Sequence, residues 1–276
     1  MYPAMRALGQ SGTESPKLPL LDGLKPLYEL EGGVYPRRGN LIMIAGRSGS
    51  GKSSFALWLA QQWNMHTMYW SADMTASQAT LKLLSNKTQR SADEVESELE
   101  GPNREALLRN LEDSRISFSF RNPIRFEEVV EELNAYVTLY NRYPEMAVFD
   151  NLANIDGAES SYEEQMFAMS VLTELIRKTG MTGIILHHAS DKSWDARDKP
   201  FYPPSRQEIK GGHSEFPEMI LGVALNNLTQ DFHIAPLKNR GGFQQPTGTT
   251  FAKLRVNSQT NTFHSTEVEH YLSNGV

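Results

Sequence analysis

Short apolar runs alternate along this chain with stretches whose apolar residues recur at helical spacing. Residues 41–45, 65–73, 116–120, 145–150, 181–188, 219–225, 232–237 and 251–256 have the length and bulk of strands. Between them, residues 55–60, 75–84 and 172–178 read as helices. Residues 126–139 read as an amphipathic helix that buries Val129, Val130, Leu133, Tyr136 and Val137. Thr75-Ala76-Ser77-Gln78 and Ser91-Ala92-Asp93-Glu94 each have the form of a capping box and mark two helix starts. Strands alternating with helices predict an α/β fold with a twisted, mostly parallel sheet flanked by helices and ligands at the carboxyl ends of its strands. Residues 1–25, rich in Gly, Ser, Pro and isolated charges, read as a flexible arm or linker, and 26–276 as a single domain. A long polar loop spans residues 190–212, and Gly241-Gly242 forms a turn.

A chain of 276 residues can bury a substantial core. No apolar run is long enough to cross a membrane, and residues 1–6 lack the apolar core of a secretory signal. The expected location is therefore the cytoplasm. The lack of cysteine excludes disulfides, thiol catalysis and cysteine-ligated zinc. Lys and Arg total 27 against 33 acidic residues, a net charge of −6, so contact with nucleic acid would need a local basic surface.

The sharpest chemical signal lies at the end of the first strand. Gly46-Arg47-Ser48-Gly49-Ser50-Gly51-Lys52-Ser53-Ser54 is a Gly-x-x-x-x-Gly-Lys-Ser loop between an apolar run and a helix. Backbone N–H groups of such a loop close around phosphate oxygens, and the helix adds its positive dipole end. Lys52 is expected to reach the β- and γ-phosphates of ATP, and the Ser53 hydroxyl to hold Mg²⁺. A later apolar strand ends in Asp150, a Walker B pattern that makes Asp150 the second expected metal residue. Asp73 ends the second predicted strand. Its competing roles are a site carboxylate and a cap for the helix beginning near Thr75.

In order, the phosphate loop, Asp73, Asp150, a strand ending in His187, and Lys238-Asn239-Arg240 followed by Pro246-Thr247-Gly248 resemble the RecA-type motor core of DnaB-like replicative helicases. The resemblance spans roughly residues 23–256, and its late motif is the most family-specific part. Residues 186–190 also look like small plasmid-borne hexameric helicases. The resemblance implies a RecA-like P-loop ATPase with ATP and Mg²⁺ as ligands. Asp73 stands where the family has a glutamate that polarises the attacking water, one methylene longer, so Glu145 and Asp156 are alternative bases. His187 takes the place of a polar sensor, with His188 as its rival. Lys238 and Arg240 would enter the ATP site of the next subunit in trans.

The resemblance further implies single-stranded DNA as a partner, self-assembly into a homo-hexamer, and a primase or loader protein. The DNA would meet channel-facing loops at 150–161 and 192–212, the latter with Lys192, Arg197, Arg206, Lys210, Gly211 and Gly212. The expected function is an ATP-dependent helicase or translocase acting as a ring. A RecA- or RadA-like recombination ATPase and a KaiC-like regulatory ATPase are the competing readings.

Overall fold

A computed structural model of the protein describes residues 15–158, 161–190, 201–209 and 215–266. The fold is built on a sheet of nine strands: β1 (Leu41–Gly46), β2 (Thr67–Ser71), β3 (Ile116–Ser119), β4 (Met146–Asp150), β5 (Thr182–His188), β6 (Met219–Asn226), β7 (Asp231–Asn239), β8 (Ala252–Asn257) and β9 (Thr262–Ser265). Their spatial order is β3-β2-β4-β5-β1-β6-β7-β8-β9. The pairs from β3 across to β6 are parallel, and β6 to β9 are antiparallel. Every residue of β1, β2 and β4 is buried, as strands covered on both faces must be.

Two apolar layers fill the two faces. On one, the helix α2 (Lys52–Trp63) lays Phe55, Leu57, Trp58 and Trp63 over Ile42, Ile44, Val148, Ile184 and Leu186. On the other, α6 (Phe126–Tyr140) and α7 (Tyr162–Thr179) cover Met43, Ala45, Phe149 and Ile185. A short α1 (Lys25–Tyr28) precedes β1. Between β2 and β3 stand α3 (Ala76–Thr88), α4 (Ala92–Leu99) and α5 (Arg104–Leu108), which share a small core of Leu84, Val95 and Leu107. Both predicted capping boxes form, at Thr75 and at Ser91.

Several elements differ from the sequence expectation. Val130, expected inside, is 49% exposed because α6 turns only Val129, Leu133 and Tyr136 inward. Helix α7 starts ten residues earlier than its apolar periodicity suggested, at a capping box of Ser161 and Glu164. The edge strand β9 carries few apolar residues, but Phe263 packs on Phe55 and Trp58 with ring centroids 5.2 Å apart in each case. Residues of the expected arm also contact the domain: Leu18 is buried, and Trp63 Nε1 donates to the Pro19 carbonyl at 3.0 Å. No helix among the described residues is long and apolar enough to cross a membrane.

Candidate active site

The carboxyl ends of β1, β2, β4 and β5 meet at one edge of the sheet, and most of the residues singled out above gather there. Gly51 precedes α2 with φ +80°, a left-handed turn that suits glycine. Helix α2 has no side-chain cap and no acidic residue in its first turn, so its first amides and its positive dipole end are left for an anion. A Cβ on Gly46 would stand 2.4 Å from Ser50 Oγ, so only glycine lets the loop fold this tightly. Ser50 Oγ is buried without a hydrogen-bond partner, a polar atom held within the loop. Lys52 Nζ donates to the carbonyls of Gly46 and Arg47 at 2.9 and 2.8 Å, which holds the ammonium over the loop. Ser48 and Gly49 form the exposed tip.

Asp150 is the electrostatic centre of the edge. Its Oδ1 accepts from Ser53 Oγ at 3.1 Å and its Oδ2 from the Tyr69 hydroxyl at 3.2 Å. Burial, with some help from the charge of Asp73, pushes its carboxyl up to about 6, against the pull of Ser53, Tyr69 and Lys52. Burial and the neighbouring Asp150 raise the Tyr69 phenol well above its ordinary value. A paired hydroxyl and carboxylate beside a phosphate loop form the donor set that a hard divalent cation takes, so the residues fit Mg²⁺. Ser54 Oγ accepts from Lys82 Nζ at 2.6 Å; burial lowers the titration point of this lysine, while Asp150 opposes the shift.

Asp73 is not the cap of α3, a role taken by Thr75. Its Oδ2 accepts from Asn151 Nδ2 at 2.7 Å, and Asn151 Oδ1 accepts from the Ala153 amide at 2.9 Å. Asn151 thus anchors the exposed carboxylate from the residue after Asp150. Nothing in the sequence pattern marked Asn151 or Tyr69, because each acts only through neighbours that the sheet brings alongside. The two alternative bases lie elsewhere. Glu145 sits before β4 at the opposite edge, bound to Arg38 at 3.0 Å, and Asp156 pairs with Arg125 at 3.3 Å.

Strand alternation separates the two histidines. Ile184 and Leu186 pack with α2, whereas Ile185 packs with the opposite layer. His188 therefore shares the face of α2 and the phosphate loop, with Nε2 3.4 Å from Asn151 Nδ2. His187, the expected sensor, is 2% exposed and belongs to the other face. Of the two rivals, His188 is the one that the fold brings beside Asn151 and Asp73.

Lys238 and Arg240 lie far from this edge. Strand β7 runs antiparallel to β6, which pairs Asn239 with Met219, and Met219 with Ile42 near the start of β1. The two cations therefore sit toward the amino edge of the sheet, Arg240 about 16 Å and Lys238 about 10 Å along β1 from the phosphate loop at about 3.3 Å per residue. Lys238 Nζ and Arg240 Nη2 both donate to the Glu215 carbonyl, at 3.0 and 2.8 Å. Lys238 is buried. Burial, and then the charges of Arg240 and Arg206, pull its ammonium down to about 8. The Arg240 side chain is about half exposed, with Glu218 3.8 Å away.

Of the residues expected on nucleic acid, Lys192, Arg197, Lys210, Gly211 and Gly212 lie outside the described residues. Arg206 opens the turn Arg206–Glu208, and its amide donates to the Pro246 carbonyl at 2.7 Å. Residues 150–158 do not form an open loop, since Ile155 bridges to Ile124 and is buried.

Fold and edge together define a P-loop nucleoside triphosphatase with the RecA-like arrangement of DnaB-like helicase ATPase domains. Two solved structures share that fold across 96% of this chain at 14% identity. One is an isolated ATPase domain, TM-score 0.74, of which 96% is covered. The other is a DnaB-like replicative helicase described with its interactions with primase, TM-score 0.73, of which this chain spans 65%. Residues 24–193 match the model of the AAA domain family, and the chain belongs to that family. The gene 65 protein of Mycobacterium phage L5 is 31% identical over 252 residues, 87% of this chain and 91% of that one.

Proposed function

We propose that the protein is an ATP-driven motor on single-stranded DNA, a helicase or translocase that works as a ring, with six subunits as the simplest closure. The observation that carries this reading is the position of Arg240. It lies at the amino edge of the sheet, about 16 Å along β1 from its own phosphate loop. On this reading Arg240, too far to reach its own site, serves a site on a neighbour, and hydrolysis then requires an assembly.

Within one subunit the roles follow from the contacts. The α2 amides and Lys52 bind and orient the phosphates, and the Ser53–Asp150 pair is the place for Mg²⁺. Bound there, Mg²⁺ would neutralise charge developing on the transferred phosphoryl group. Asp73, held by Asn151, orients the attacking water and accepts its proton. His188, beside Asn151, is the residue placed to register the change at that end of the site. Arg240 of an adjacent subunit completes the charge balance.

The test mixes two inactive proteins. Lys52→Ala lacks its own phosphate grip, and Arg240→Ala lacks the trans cation. Mixed assemblies should regain part of the wild-type ATPase, because some interfaces then join an intact loop to an intact finger. The wild-type rate should rise with single-stranded DNA, and light scattering should give a mass near six subunits. No recovery at any mixing ratio would remove the interfacial site. A rate indifferent to DNA would remove the motor in favour of a regulatory ATPase.

A further inference from the structure

Tyr69 carries a hydroxyl that the core does not need. The residue is fully buried in β2, in the apolar layer that α2 covers. Its ring packs tilted on Phe118 with centroids 5.3 Å apart. Phenylalanine would fill the same space, and a buried hydroxyl adds the need for a hydrogen-bond partner. That partner is Asp150.

The pairing of β2 with β4 sets the reach. The two strands are parallel, with Tyr69 beside Val148 and Ser71 beside Asp150. Side chains two apart on a strand share a face, so Asp150 stands on the same face as Val148 and Tyr69, toward α2. The phenol extends one pair along that face and donates to Asp150 Oδ2 at 3.2 Å. The Asp150 carbonyl is held as well, by the Ala72 amide at 2.9 Å.

The two carboxylate oxygens of Asp150 thus have unlike surroundings. Oδ1 meets Ser53 Oγ at 3.1 Å, and Ser53 is half-buried in the first turn of α2. Oδ2 faces the fully buried phenol. An ionised carboxylate only accepts, so the Tyr69 hydroxyl is the donor and its bond fixes how the carboxylate is turned. A cation at the Ser53–Asp150 pair finds one oxygen of Asp150 on its side. To take both, it would have to draw Oδ2 off the phenol and leave a buried hydroxyl unpaired.

That restriction sorts cations by their coordination habits. Mg²⁺ demands near-ideal octahedral geometry and keeps several of its waters, so it draws on few protein oxygens. Ca²⁺ takes more oxygens in a looser geometry and readily grips a carboxylate by both. We propose that Tyr69 is a positioning residue that presents Asp150 through one oxygen and thereby selects Mg²⁺ over Ca²⁺ at the phosphate loop. The inference rests on the Ser53–Asp150 pair being the place for the metal, as argued above, and adds the residue that sets which ion the pair takes.

The experiment measures the affinity of the full chain for a fluorescent, non-hydrolysable ATP analogue in excess Mg²⁺, in excess Ca²⁺ and in EDTA. Binding is the readout, so turnover does not enter. In the wild type the analogue should bind roughly tenfold tighter with Mg²⁺ than with Ca²⁺, the effect of one buried hydrogen bond left unmade. In Tyr69→Phe this ratio should fall to below about threefold through tighter binding with Ca²⁺, with the EDTA affinity changed by less than about threefold. A hydroxyl that only supports the fold would shift all three affinities together and keep the ratio. Tyr69→Met also lacks the donor while filling the core, and it carries the same expectation if Tyr69→Phe folds poorly. Equal wild-type affinities in Mg²⁺, Ca²⁺ and EDTA would remove the metal place itself and this proposal with it. A wild-type ratio near one with both metals tightening the analogue would overturn the role of Tyr69 alone. So would a full ratio retained in either variant with its EDTA affinity intact.

Discussion

Replacing Lys238 by methionine should make the protein more stable and less active. The ammonium is buried in β7 beside Arg240 and Arg206, and its titration point falls from 10.5 to about 8. At about 1.4 kcal/mol per pH unit, the fall sets an upper bound of about 3.5 kcal/mol on what the charge costs at pH 7. Methionine fills similar space without a charge, but it forfeits the bond to the Glu215 carbonyl, about 1–2 kcal/mol. The net expectation is about 1–2 kcal/mol of added stability, or a melting temperature higher by roughly 3–6 °C. The sign with pH is fixed. Below pH 8 both the folded and unfolded chains carry the proton, and the folded chain bears the full cost. Between about 8 and 10.5 the unfolded chain binds more protons, so wild-type stability rises toward that of the variant. Thermal melts at pH 7 and pH 9.5 should therefore show the gap shrinking. The steady-state ATPase of Lys238→Met should fall if the lysine serves the interface. A variant that is stabler with unchanged turnover, or one destabilised at pH 7, would refute the idea that function retains this charge against stability.

Asp73→Asn should lower kcat by roughly 10²–10⁴ while nucleotide affinity holds. Asn151→Ala, which only releases the carboxylate, should lower kcat less; equal rates for Asp73→Asn and wild type would exclude Asp73 as the base. Gly248→Ala places a Cβ 2.6 Å from the Pro204 carbonyl at φ +72° and should lower stability by about 1–3 kcal/mol in a denaturant titration. An unchanged midpoint would mean that the segment 201–209 yields at no cost.

Strong local rules made much of the fold legible in the sequence. The apolar runs of β1, β4 and β5 are buried on both faces, so their signal is continuous and their ends are sharp. The phosphate loop and Asp150 could be assigned because each is fixed by its own strand end. Asp73 and the histidines were harder. Whether a strand-end residue faces one layer or the other depends on a single step of register, and His187 and His188 differ by that step. The contacts of Asn151 and Tyr69 were illegible, because their partners lie 78 and 81 residues away in the chain. Helix α7 hid its first turns for another reason: Tyr162, Glu163 and Glu164 carry no apolar stripe, and only the capping hydroxyl of Ser161 marks the start.

The direction of β7 decides where the trans cations can act. Had β7 run parallel to β6, residues 238–240 would have ended at the edge that holds the phosphate loop, and each subunit could have completed its own site. The hairpin between β6 and β7 reverses the chain instead and delivers Lys238 and Arg240 to the amino edge. Residues 209 and 215 then belong to opposite edges: Ile209 bridges to Ala189 just after β5, and Glu215 holds the two cations. On the proposed reading, the edge that offers cations to a neighbour is therefore distinct from the edge that holds the subunit's own nucleotide.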